Sequence, residues 1–155
     1  MTIKKKEIAI GIAIPMAVGA VSGFLSKNGM MEYMQMPQPP LSPPSWVFPV
    51  AWTILYTLMG IASYLIYRST NKLREMGLVL YFAQLIFNFF WSIVFFNLKN
   101  YLFALIWLVA MQCLIIACTA VFFKIEKKAA YMLLPYIAWT FFAIYLNYNV
   151  YLMYG

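Results

Sequence analysis

Five apolar runs, at residues 8–25, 46–67, 76–96, 102–123 and 129–152, follow one another along the chain, and none contains a charged residue. Each is close to the ~20 residues that a helix rising 1.5 Å per residue needs to cross ~30 Å of hydrocarbon. Hydrocarbon admits only helices or closed barrels. The runs are continuous rather than alternating, and about twice the ~10 residues of a barrel strand. The pattern therefore predicts an all-α integral membrane protein, a single bundle of five transmembrane helices occupying residues 1–155. The connections are short except one. Residues 26–45 carry Pro37, Pro39, Pro40, Pro43 and Pro44, which forbid a helix and favour extended or turn conformations. The other connection on that side, 97–101, is a tight turn, so the long loop is predicted to cover that end of the bundle alone, as a lid.

Charge orients the bundle. Lys4, Lys5, Lys6, Arg68, Lys72, Arg74, Lys124, Lys127 and Lys128 fall on one side of a five-span chain, and only Lys27 and Lys99 on the other. Basic residues stay cytoplasmic, which predicts an inner N-terminus and an outer C-terminus in a plasma membrane. The net charge of +7 lies in short clusters between apolar runs rather than on a face for nucleic acid. Lys4, Lys5 and Lys6 before an apolar run, with Ala20-Val21-Ser22 as a cleavage site, also fit a signal peptide, but the run is long for one. It carries a stripe of small or rigid residues four apart, Gly11, Pro15, Gly19 and Gly23. Such a stripe serves close packing, either inside the monomer or between two copies in a homodimer.

Composition narrows the chemistry. Of 155 residues 65% are apolar and 10% charged, against about 25% charged in a soluble domain. With no histidine and no aspartate, His-based catalysis, most zinc sites and the usual triads lose their residues, so no metal and no required cofactor is expected. No ionisable residue lies within a span, where ion pumps and proton-coupled transporters normally keep one. Cys113 and Cys118, five residues apart on different helix faces, read as buried apolar residues rather than a disulfide.

What remains is a set of uncharged polar and aromatic groups. Gln84, Asn88 and Trp91 share a face of the third span, Trp139, Ala143 and Asn147 a face of the fifth, and Trp52, Tyr56 and Gly60 a face of the second. At 1.5 Å per residue Asn88 lies ~12 Å below the outer end, Trp52, Trp91 and Asn147 ~7–9 Å, and Trp139 near mid-depth. Most of the set gathers under the lid residues Pro39, Pro43, Pro44 and Trp46. Converging polar groups in an apolar cavity are the usual form of a ligand site, and aromatic walls suit a flat ligand. The alternative is that the amides bond between helices and the aromatics form interface belts.

Three stretches carry a resemblance. They are Pro39-Pro40-Leu41-Ser42-Pro43-Pro44-Ser45-Trp46 with Ala51-Trp52-Thr53-Ile54-Leu55-Tyr56-Thr57-Leu58-Met59-Gly60; Gln84-Leu85-Ile86-Phe87-Asn88-Phe89-Phe90-Trp91 with Phe95-Phe96; and Leu134-Pro135-Tyr136-Ile137-Ala138-Trp139-Thr140-Phe141-Phe142-Ala143 with Leu146-Asn147-Tyr148. In this order they resemble the translocator protein family, also called tryptophan-rich sensory proteins or peripheral benzodiazepine receptors. The resemblance covers the whole chain. It implies binding of porphyrins (protoporphyrin above all) and other tetrapyrroles, sterols in some members, and synthetic benzodiazepine-type ligands. It places family pocket residues at Trp52, Asn88, Trp139 and Ala143. Some bacterial members are thought to degrade protoporphyrin in light, which would make Trp52 and Trp139 photochemical partners. The family's lid has Lys before its first proline and Trp three residues later; here Gln38 and Leu41 stand there, so one lid indole is missing. The sterol motif of animal members needs a basic residue that does not occur after Lys128, and Leu65, Tyr67 and Lys72 match its loose form only elsewhere.

The expected function is a bacterial membrane sensor or receptor binding porphyrin-like ligands. A tetrapyrrole or sterol transporter and a light-dependent porphyrin-degrading enzyme are the alternatives. The orientation has a direct test. Alkaline phosphatase fused after Gly155 is expected to be active in a bacterial host; a silent fusion beside an active cytoplasmic reporter at the same place would reverse the topology.

Overall fold

Residues 4–155 are described by a computed structural model. The chain forms α1 (Lys5–Met34), α2 (Val47–Tyr67), α3 (Arg74–Ser92), α4 (Tyr101–Ile125) and α5 (Lys127–Tyr154). A π-helical turn, Ile93–Asn97, continues α3. All five helices are long and apolar enough to cross a membrane, and no strand occurs among the described residues. The bundle read from hydropathy is therefore the bundle observed.

The loop boundary differs. The expected connection 26–45 is helical as far as Met34, and the true loop is 35–46. Hydropathy stops at Leu25 because Lys27, Asn28 and Glu32 are polar, yet none of these breaks a helix before the first proline at Pro37. The extra turns are held sideways. Asn97 Nδ2 donates to the Leu25 carbonyl at 2.9 Å, Lys99 pairs with Glu32, and the Tyr33 ring meets Phe95 and Phe96 edge-on at 5.5 Å. The hydrogen bond to Glu32 raises the pKa of Lys99 above its usual value.

The helices close into a ring whose order is α1, α2, α5, α4, α3 and back to α1. The side chains at its centre, such as Met59, Ile66, Leu108, Phe122 and Leu133, are fully buried. The outward faces are also apolar, with Ile54, Val79, Ile86, Ile106 and Phe141 each at least 55% exposed, as lipid-facing positions must be. Cys118 is buried as expected, but Cys113 is exposed on this outer face; a five-residue step turns the two to different sides.

Three of the four stripe residues on α1, Gly11, Pro15 and Gly19, pack inside the monomer. A Cβ on Gly11 would sit 3.0 Å from the Gly60 carbonyl oxygen, and one on Gly60 would sit 2.7 Å from the Gly11 oxygen, so the two backbones touch at this crossing. Pro15 is buried, and a Cβ on Gly19 would collide with the Tyr56 ring. Gly23, one turn further, has nothing within 4 Å because a cavity opens there. Gly19→Leu is therefore expected to cost about 1–3 kcal/mol by overpacking, read as a Tm lower by about 2–10 °C in detergent. Gly23→Ala is expected to stay within about 0.5 kcal/mol of the parent. Equal melting of the parent and Gly19→Leu would mean that this face does not pack on α2.

Candidate ligand-binding cavity

Where α1 and α2 part above Gly19, a cavity of about 830 Å³ opens toward the loop end of the bundle. That is in the upper part of the range for small-molecule sites. α1 supplies one wall through Gly23, Met30 and Tyr33; α2 supplies Phe48 and Trp52; α3 and its π-helical turn supply Trp91 and Phe95; α5 supplies Trp139 and Ala143. Asn88, Tyr56, Leu108, Met111 and Thr140 also line it.

Ring geometry shows how the walls are set. Trp52 stacks on Tyr56 with centroids 5.3 Å apart and planes at 29°. Trp139 meets Trp52 edge-on at 6.5 Å and 86°, and is braced by Phe48 at 5.9 Å and Phe142 at 5.6 Å. Opposite them Trp91 stacks on Phe95 at 5.0 Å. These offset and T-shaped arrangements are the favoured ones for aromatic pairs.

Beneath the rings lies a chain of hydrogen bonds. The Tyr56 hydroxyl donates to Asn88 Oδ1 at 2.7 Å, Asn88 Nδ2 donates to the Tyr136 hydroxyl at 2.9 Å, and that hydroxyl donates to Gln84 Oε1 at 2.7 Å. It ties α2, α3 and α5 together. Interhelical bonds in membranes average about 0.6 kcal/mol each, so the chain adds only modest stability. It fixes the Asn88 amide with one N–H and one lone pair still free. A second set orients Trp91, whose Nε1 donates to Asn147 Oδ1 at 3.2 Å, while Asn147 Nδ2 donates to the Tyr101 carbonyl at 3.0 Å.

Of the residues grouped by helical spacing, Trp52, Tyr56, Asn88, Trp91, Trp139, Ala143 and Asn147 all line the cavity. Gln84 does not: it is buried below the floor as the acceptor of Tyr136, which is the helix-to-helix role its residue type also allowed. Among the lid residues, Pro43, Pro44 and Trp46 reach the cavity. Pro39 does not; it is buried in a turn whose carbonyl accepts from the Ser42 amide at 3.2 Å. Leu41, where the family's lid indole would stand, has a left-handed φ of 67° and is 81% exposed.

Five contributors were not singled out in the sequence. Tyr136 is the hub of the floor, but a lone tyrosine in a span reads as an interface residue. Met30 and Tyr33 lie on the part of α1 that polarity assigned to the loop. Tyr145 and Tyr154 of α5 hold the lid, their hydroxyls donating to the carbonyls of Pro40 at 3.0 Å and Pro37 at 2.7 Å. Proline carbonyls in a loop without N–H partners are the signal that predicts such a strap.

Comparison with known proteins agrees with this architecture. The chain is 34% identical over 148 residues to the tryptophan-rich protein TspO of Archaeoglobus fulgidus, covering 95% of this chain and 96% of that one. It is 32% identical over 147 residues to the translocator protein of Homo sapiens, covering 92% and 87%. It is 35% identical over 117 residues to the tryptophan-rich sensory protein of Cereibacter sphaeroides, covering 76% and 73%. Residues 11–152 match the TspO/MBR family, and with a multi-pass bundle of this kind the chain belongs to that family.

Proposed function

We propose that the protein is a plasma-membrane sensor that binds porphyrins and related flat hydrophobic ligands between its helices, with the N-terminus on the cytoplasmic side. Family membership supports the coarser part, a membrane protein with a receptor- or sensor-type role. The finer part is carried by one observation: an aromatic-walled cavity of about 830 Å³ with Trp52 and Trp139 meeting at 6.5 Å on one side. A planar ligand entering under the lid would lie against these indoles, with the free N–H of Asn88 offered from the floor. The lid closes over it as the loop strapped to α5 by Tyr145 and Tyr154.

A specific observation also favours a second reading, light-driven breakdown of a bound porphyrin. Trp52 stacks on Tyr56, whose hydroxyl is bonded to Asn88, so an indole oxidised by an excited porphyrin has a hydrogen-bonded phenol beside it. The two readings separate on phenylalanine. As stacking walls, the indoles tolerate Phe with a loss of about 0.5–1.5 kcal/mol. As redox partners they do not, because a benzene ring is much harder to oxidise.

Trp52→Phe and Trp139→Phe are therefore expected to bind protoporphyrin within about tenfold of the parent, measured by tryptophan-fluorescence and Soret titration in detergent. Any light-dependent loss of the porphyrin spectrum is expected to fall sharply in both. Failure of the parent to bind either protoporphyrin or its dimethyl ester would overturn the proposal. Binding without a light-dependent product leaves a sensor. Equal degradation by parent and variants removes the indole radical.

A further inference from the structure

Among the described residues, none that lines the cavity carries a charge. The nearby cations at this end are turned elsewhere. The Lys27 ammonium lies 4.4 Å over the ring of Phe24, itself 66% exposed on the outside of α1. Lys99 is paired with Glu32. At the mouth, where the polar edge of a ligand would rest, Gln38 Nε2 donates to the carbonyls of Tyr33 and Met36, both at 3.0 Å. Both N–H groups of that amide are thus committed within the lid, and what it offers a ligand is its carbonyl oxygen. Ser22 donates to the Phe89 carbonyl at 2.8 Å, and the Asn147 amide is bonded to Tyr101 and Trp91.

A carboxylate brought against such a lining gives up hydration to apolar rings and meets no cation, only neutral donors such as the free N–H of Asn88. An unpaired buried charge is strongly penalised, whereas an ester or other neutral group of the same shape is not. We infer that the cavity selects uncharged flat ligands, such as a tetrapyrrole whose acid groups are esterified or absent, over the same ring system bearing free carboxylates. The inference rests on the proposed function, since it concerns the same cavity. It adds that Gln38 sets the charge preference. A lysine at that position would put an ammonium in the mouth, where it could pair with a carboxylate.

Protoporphyrin and its dimethyl ester, titrated in the same detergent, test this. The decisive quantity is the ester-to-acid preference relative to the parent, in which partition into micelles cancels between variants. The parent is expected to prefer the ester by at least tenfold. Gln38→Lys is expected to lower that preference by at least fivefold, by tightening the acid while leaving the ester within threefold, and the gain is expected to shrink with added salt. Lys27→Gln is expected to leave both affinities unchanged. Should Gln38→Lys not yield a folded protein, Ser45→Lys, also at the mouth, takes its place with the same expectation. A parent that binds acid and ester within twofold, an unchanged preference in the lysine variant, or weaker acid binding by Lys27→Gln would each overturn the inference while leaving porphyrin binding intact. Failure of both porphyrins to bind the parent would overturn the proposed function and this inference together.

Discussion

The hydrogen bond from the Tyr56 hydroxyl to Asn88 is the point on which the upper half of the molecule rests. Tyr56 lies where Gly19 leaves α1 without a side chain, so the ring is set by steric necessity before it is set by bonding. Its face then carries Trp52, and Trp52 in turn meets Trp139 and Tyr136. A small residue on one helix thus positions a phenol on the second, an amide on the third and an indole on the fifth. The energy in each link is small. The geometry is unique because hydrocarbon offers none of these groups another partner.

Hydropathy made the spans legible because hydrocarbon thickness is a hard constraint on apolar length. Where that constraint ended, so did the reading: α1 runs on for nine residues past Leu25, held by packing against the π-helical turn rather than by lipid. Helical spacing put Trp52, Asn88, Trp139 and Asn147 together, since residues four apart must share a face. It could not tell Asn88 from Gln84, one turn away on the same face, because that distinction depends on where the floor lies along the axis. Nor could it show what α1 contributes to the cavity. Gly23 acts there by what it lacks, and absence of a side chain reads the same whether it makes room for a helix or for a ligand.

The lid shows the same economy. Five prolines remove five of the twelve backbone donors in the loop 35–46, leaving carbonyls that must be met by side chains. The tyrosines of α5 meet two of them, and Gln38 meets two of the carbonyls at the end of α1 and the start of the loop. A segment with little internal structure is therefore ordered by its neighbours. The one place where its backbone turns against the usual preference, Leu41, points into solvent, where a side chain has nothing to hold.

The ring order of the helices has a consequence for biosynthesis. α2 packs on α5, not only on its neighbours in sequence, so the wall carrying Trp139 and Ala143 arrives with the last 28-residue helix. Without α5 the floor lacks Tyr136, the hydroxyl that accepts from the Asn88 amide. Nearly the whole polypeptide has to be made before the cavity can close. A chain truncated before α5 thus keeps four spans and lacks the wall that closes the cavity.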